Sequence, residues 1–134
     1  MSETTFLNGK ARRILLVDDA GTVTDALRRM FRRGGHAIDT AMDGQDALDK
    51  FQPGKYDVVI TDYQMPGLNG LELAEIIKHR DESQRILLIT AFSFTIAARG
   101  ANALPVDFVL RKPFSIDELQ HALLEIMGPR PAVN

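Results

Sequence analysis

The chain has 134 residues, 45% apolar and 25% charged, the size and mix of one globular domain rather than a two-domain enzyme. Sixteen basic against eighteen acidic side chains leave a net charge of −2, a field too weak to hold a phosphate backbone or an anionic membrane. The absence of cysteine excludes disulfides, thiolate nucleophiles and thiolate metal sites, and suits a reducing compartment.

Five short segments rich in apolar residues recur along the chain, at 13–17, 37–41, 57–61, 85–90 and 107–110, each followed by a stretch with helical spacing. After the first, Val23, Ala26, Leu27, Met30 and Phe31 form one apolar stripe on a helix that should stop at Gly34 and Gly35. A short second helix turns Ala47, Leu48 and Phe51 inward and ends before Pro53. A third starts at Asn69, an N-cap with Glu72 three residues on. A fourth falls at about 94–99. For the fifth, Ser115 and Glu118 make a capping box, and Ile116, Leu119, Leu123 and Ile126 supply the buried face. Glycines and prolines act as punctuation, without internal repeats or low-complexity tracts, so the expected unit is a single domain over 12–127 with short tails at 1–11 and 128–134.

Strand and helix in alternation mean a parallel sheet, because parallel neighbours need crossover connections and these are right-handed. The runs 14–17, 58–60 and 86–89 are continuously apolar, as strands covered on both faces should be. The fold class is α/β with a doubly wound, five-stranded parallel sheet, and in such sheets ligands gather beyond the carboxyl ends of the strands. No apolar run approaches the roughly 18 residues that span a bilayer, and MSETTFLNGKARR has no signal-peptide core, so a cytoplasmic protein without direct nucleic-acid or membrane contact is expected.

The strand ends carry the chemistry. The first strand ends in Asp18 and Asp19, the third in Asp62 and the fourth in Thr90, while the fifth leads to Lys112 and Pro113. Three carboxylates gathered on one rim repel one another and call for a cation. Oxygen donors with open positions suit Mg²⁺, with Mn²⁺ as a substitute, and no Cys or His cluster favours zinc. A carboxylate on such a metal, beside an ammonium and a hydroxyl, is built to receive a phosphoryl group, giving a covalent aspartyl phosphate.

The segments LLVDD at 15–19, TDYQMPGLNG at 61–70, TA at 90–91 and KPF at 112–114 resemble the receiver domain of two-component response regulators, such as the chemotaxis regulators, over about 12–127. The resemblance implies a flavodoxin-like receiver fold with strand order 2-1-3-4-5. It implies Asp62 as phosphoacceptor, Asp19 as a direct Mg²⁺ ligand, Asp18 as a metal-site carboxylate acting largely through water, and the backbone carbonyl of Gln64 as the remaining protein ligand. Thr90 becomes the switch hydroxyl and Lys112 the phosphoryl partner, with a cis Lys112–Pro113 peptide. The implied partners are a sensor histidine kinase or histidine phosphotransfer protein as donor and an output protein reached in trans, with homodimerisation on phosphorylation. The implied chemistry is the receiver's own phosphorylation and slow dephosphorylation, not turnover of a metabolite.

Two positions depart from the family pattern. Val109 stands where many receivers carry a switch aromatic, with Phe108 one residue earlier, and Phe92, two after Thr90, is bulky enough to hinder an attacking water and lengthen the phosphorylated lifetime. A haloacid-dehalogenase-type phosphohydrolase would need an acid at position 20, where Ala20 stands, and a Rossmann-type nucleotide site would need G-x-G-x-x-G after Val17. A receiver-like module that binds partners without phosphorylation is countered by the intact set of strand-end residues.

Overall fold

The computed structural model describes residues 10–91 and 104–128. Its elements run β1 (Arg13–Val17), α1 (Gly21–Arg33), β2 (Ala37–Ala41), α2 (Gly44–Lys50), β3 (Val58–Asp62), α3 (Gly70–Arg80), β4 (Ile86–Thr90), β5 (Phe108–Arg111) and α4 (Ile116–Met127). All five strands are parallel, in the order β2-β1-β3-β4-β5. The helix expected at about 94–99, and Phe92, lie outside the described residues.

Period-two alternation divides the strand side chains between two helical layers. Ile14, Leu16, Ile60, Leu87 and Ile89 face α1 and α4, where Leu27, Phe31, Leu119 and Leu123 meet them. Leu15, Val17, Val59 and Ile86 face α2 and α3, where Ala47, Leu73, Ala74 and Ile77 meet them. Burial on both faces is what the unbroken apolar runs require, at about 1.5–3 kcal/mol for each large aliphatic side chain removed from water.

The capping signals are realised. Asn69 Oδ1 accepts from the Glu72 amide at 2.9 Å and Ser115 Oγ from the Glu118 amide at 3.0 Å, with each glutamate returning a bond to its cap residue. At the end of α1 the His36 amide reaches back to the Phe31 carbonyl at 3.0 Å while Gly35 adopts φ +83°, so the helix stops at the glycine pair as expected.

Four expectations are corrected. Ile116 is 49% exposed at the first position of α4, before the helix turns its apolar face inward, and Ala122 and Met127 complete that face instead. Ala26 is exposed and Met30 only half-buried, so the stripe on α1 is narrower than its spacing predicts. Asp57 and Asp107 are not the first residues of β3 and β5. The Asp57 carboxylate accepts the Arg13 amide at 2.7 Å and the Asp107 carboxylate accepts the Ile86 amide at 2.8 Å, so each caps the start of a neighbouring strand.

Candidate functional site

Asp18 and Asp19 follow directly on β1 and Asp62 ends β3, the adjacent strand, so parallel pairing brings all three to one edge of the sheet. One carboxylate oxygen from each lies within 4.8 Å of the others. Asp18 and Asp62 are buried and Asp19 is exposed. Lys112, one residue beyond β5, brings Nζ to 2.9 Å from Asp62 Oδ1. Its backbone amide donates to the Thr90 carbonyl at 2.8 Å, which ties the turn after β5 to the end of β4, and the Lys112–Pro113 peptide is cis as expected.

Thr90 is buried at the end of β4, one residue past Ile89, the register partner of Asp62. Gln64 is exposed in the turn after β3, two residues from Asp62. The fold therefore joins Asp18, Asp19, Asp62 and Lys112 by direct proximity and sets Thr90 on the next strand of the same rim. Val109 occupies β5 opposite Leu88, whereas Phe108 packs into the layer with α1 and α4, so the aromatic is directed to the core on that side.

Electrostatics point the same way. Burial pushes the Asp18 carboxyl above its ordinary value, the Asp62 and Asp19 charges add to the rise, and the Ala20 amide and Lys112 partly offset it. One ammonium faces three carboxylates, and the donor set is entirely hard oxygen. This is the chemistry that accepts a small divalent cation such as Mg²⁺, and the residues present fit such an ion.

Glycine lets β3, which ends in Asp62, and α3 approach. A Cβ on Gly70 would collide with the Asp62 carbonyl oxygen and would lie 2.7 Å from Leu88 Cδ1 and 2.9 Å from Tyr63 Cα. The Gly70 amide donates to the Tyr63 carbonyl at 2.8 Å, and the Tyr63 amide to the Ile89 carbonyl at 2.8 Å, so the turn carrying Asp62 is held from both sides. In the sequence Gly70 is only the last residue of the segment TDYQMPGLNG. Its hydrogen-bonded approach to the turn after β3 depends on the tertiary fold. His36 is buried just before the start of β2, with Nδ1 accepting the Arg12 amide at 2.9 Å. Among the described residues no helix is long and apolar enough to cross a membrane.

A parallel 2-1-3-4-5 sheet with an acid cluster and a lysine beyond its strand ends is a doubly wound α/β module with a candidate cation site on its carboxyl rim. The response regulator receiver domain family matches residues 14–124, and the chain belongs to that family, the receiver of two-component systems. Response regulator MprA of Mycolicibacterium vanbaalenii is 37% identical over 110 residues, covering 80% of this chain and 46% of that protein. MprA of Mycobacterium tuberculosis is 36% identical over 126 residues, covering 90% and 54%. The chain thus spans about half the length of the curated relatives it matches. Among solved structures, response regulator TrrA of Thermotoga maritima in complex with Mg²⁺-BeF is 36% identical at a TM-score of 0.76, covering 86% of this chain and 98% of that one. The non-phosphorylated HemR receiver domain of Leptospira biflexa reaches a TM-score of 0.81 at 26% identity, covering 91% and 99%.

Proposed function

We propose that a receiver unit over 12–127 accepts a phosphoryl group on Asp62 from a phosphohistidine of a sensor histidine kinase or histidine phosphotransfer protein in the cytoplasm, and signals to an output partner. The observation that carries this reading is Lys112 Nζ at 2.9 Å from Asp62 Oδ1, at the edge of the three-carboxylate cluster. A carboxylate oxygen of Asp62 attacks phosphorus in line with the leaving imidazole. The new O–P bond forms as the N–P bond breaks, and the electron pair returns to the imidazole nitrogen.

Lys112 then exchanges its bond to the free carboxylate for one to a phosphoryl oxygen, and the Thr90 hydroxyl donates to another. Asp18, Asp19, Asp62 and the Gln64 carbonyl would hold Mg²⁺, or Mn²⁺ in its place, with Asp18 acting largely through water. When bound, Mg²⁺ supplies the positive charge that neutralises the acid cluster and stabilises the oxygens in transfer. The complex of TrrA with Mg²⁺-BeF supports this reading for a relative with 36% identity. Movement of Thr90 toward the phosphoryl group would bias a two-state equilibrium toward the form that engages the output partner in trans, with homodimerisation accompanying phosphorylation.

The test is incubation with acetyl phosphate and Mg²⁺ followed by intact-protein mass spectrometry. The wild type should gain one phosphoryl group and Asp62→Asn none. A wild type without the mass gain would leave a receiver that binds partners unphosphorylated.

A further inference from the structure

Asp18 and Asp19 lie on one short turn, and the group that braces it is uncharged. On one side the Asp18 amide donates to the Ala41 carbonyl at 3.0 Å, and Asp18 Oδ1 accepts from the Ala20 amide at 2.9 Å. On the other, the Thr24 hydroxyl points back at the turn, with Oγ1 3.1 Å from the Ala20 carbonyl and 3.4 Å from the Asp18 carbonyl. A threonine hydroxyl in a helix commonly bonds to the carbonyl four residues before it. Here it also reaches the carbonyl six before, and so brackets Asp19.

Two further facts give that bracket its weight. The N-cap of α1 is Ala20, which offers no side-chain cap, so the first turn of the helix lacks the usual brace. Among the described residues no hydrogen bond holds the Asp19 side chain, so the direction of that carboxylate is set by the backbone of the turn. Mutual repulsion with Asp18 and Asp62 pushes the turn open, and a buried hydroxyl bridging two of its carbonyls resists that motion.

We infer that Thr24 is a positioning residue for the cation site: its hydroxyl holds the turn so that the Asp18 and Asp19 carboxylates converge with Asp62, and it thereby sets Mg²⁺ affinity without touching the ion. This rests on the reading that the acid cluster binds Mg²⁺. The test is a Mg²⁺ titration of the full chain, followed through the amide chemical shifts of residues 18–20 and 62–64, with the thermal midpoint of the metal-free protein measured alongside.

Thr24→Val preserves shape and removes the hydroxyl, and it should raise the Mg²⁺ dissociation constant about fivefold, the equivalent of one net hydrogen bond. Thr24→Ser should return it to within about twofold of wild type, since the same bond can form. A Thr24→Val protein with a native spectrum and wild-type Mg²⁺ affinity overturns the inference, even if its thermal midpoint falls, because that pattern is what a purely structural threonine gives. Where Thr24→Val does not fold, Thr24→Ala, which adds no volume, decides by the same criterion. A wild type whose shifts ignore Mg²⁺ overturns the metal reading itself, and with it the role given to Thr24.

Discussion

Replacing Gly70 by alanine adds a single methyl group where α3 meets the strand carrying Asp62. In an exposed helix interior the change would stabilise by about 1 kcal/mol through helix propensity. Here the new Cβ meets the Asp62 carbonyl and the Tyr63 Cα at 2.9 Å, both backbone atoms, as well as Leu88 Cδ1 at 2.7 Å. A leucine tip can rotate away, but backbone in the last residue of β3 cannot. The first turn of α3 must retreat instead, which weakens the 2.8 Å bond from the Gly70 amide to the Tyr63 carbonyl.

Overpacking of this kind costs about 1–3 kcal/mol and the weakened bond about 1 more, so the propensity gain is outweighed and a net loss of about 2 kcal/mol is expected. Urea unfolding checks it. The midpoint should fall with little change in slope, corresponding to a drop of roughly 8 °C in thermal midpoint for a domain of this size. A Gly70→Ala protein as stable as wild type, or more so, would refute the claim that close approach, and not the flexibility of a turn, dictates glycine at this position.

Asp18→Asn should raise the thermal midpoint of the metal-free protein at neutral pH, because asparagine keeps an acceptor for the Ala20 amide while removing a buried charge that faces Asp62 and Asp19. The folded protein holds the Asp18 proton more tightly than the unfolded chain. The corresponding stability is complete below the ordinary value of 3.8 and is lost as pH rises through the elevated folded value, so the variant's advantage should shrink toward acid. Saturating Mg²⁺ should reverse the order, since an ion at 100 times its dissociation constant adds about 2.7 kcal/mol to the protein that binds it. An Asp18→Asn protein no more stable than wild type at neutral pH without metal would contradict the charge argument. His36 behaves oppositely: burial first, and the Arg12 charge second, hold its imidazole below the ordinary 6.5. The neutral ring's contribution is complete above 6.5 and is lost as pH falls from there through the depressed folded value, so the wild-type urea midpoint should show a downward step that His36→Asn lacks. Identical pH profiles would rule it out.

Much of this fold was legible because its signals are local. Capping boxes at Asn69 and Ser115, the glycine pair after α1 and the unbroken apolar runs each involve residues a few positions apart. The order of Asp18, Asp19, Asp62, Thr90 and Lys112 at strand ends was equally readable, since alternating β and α elements return every strand to the same edge. The strand boundaries were less so. Asp57 and Asp107 sit beside apolar runs and read as their first residues, yet their carboxylates bind amides 44 and 21 positions away.

Composition and period by themselves determined the doubly wound α/β fold and the acids at its strand ends, and the likeness of the strand-end segments to receivers pointed to the family. Only the tertiary structure decided that Gly70 must lack a side chain, that Ile116 faces water, and that the Thr24 hydroxyl reaches behind Asp19. The physical reason is distance along the chain. Helical and strand periods are properties of neighbours, whereas steric exclusion, solvent access and the geometry of a three-carboxylate cluster exist only once segments tens of residues apart have been packed together.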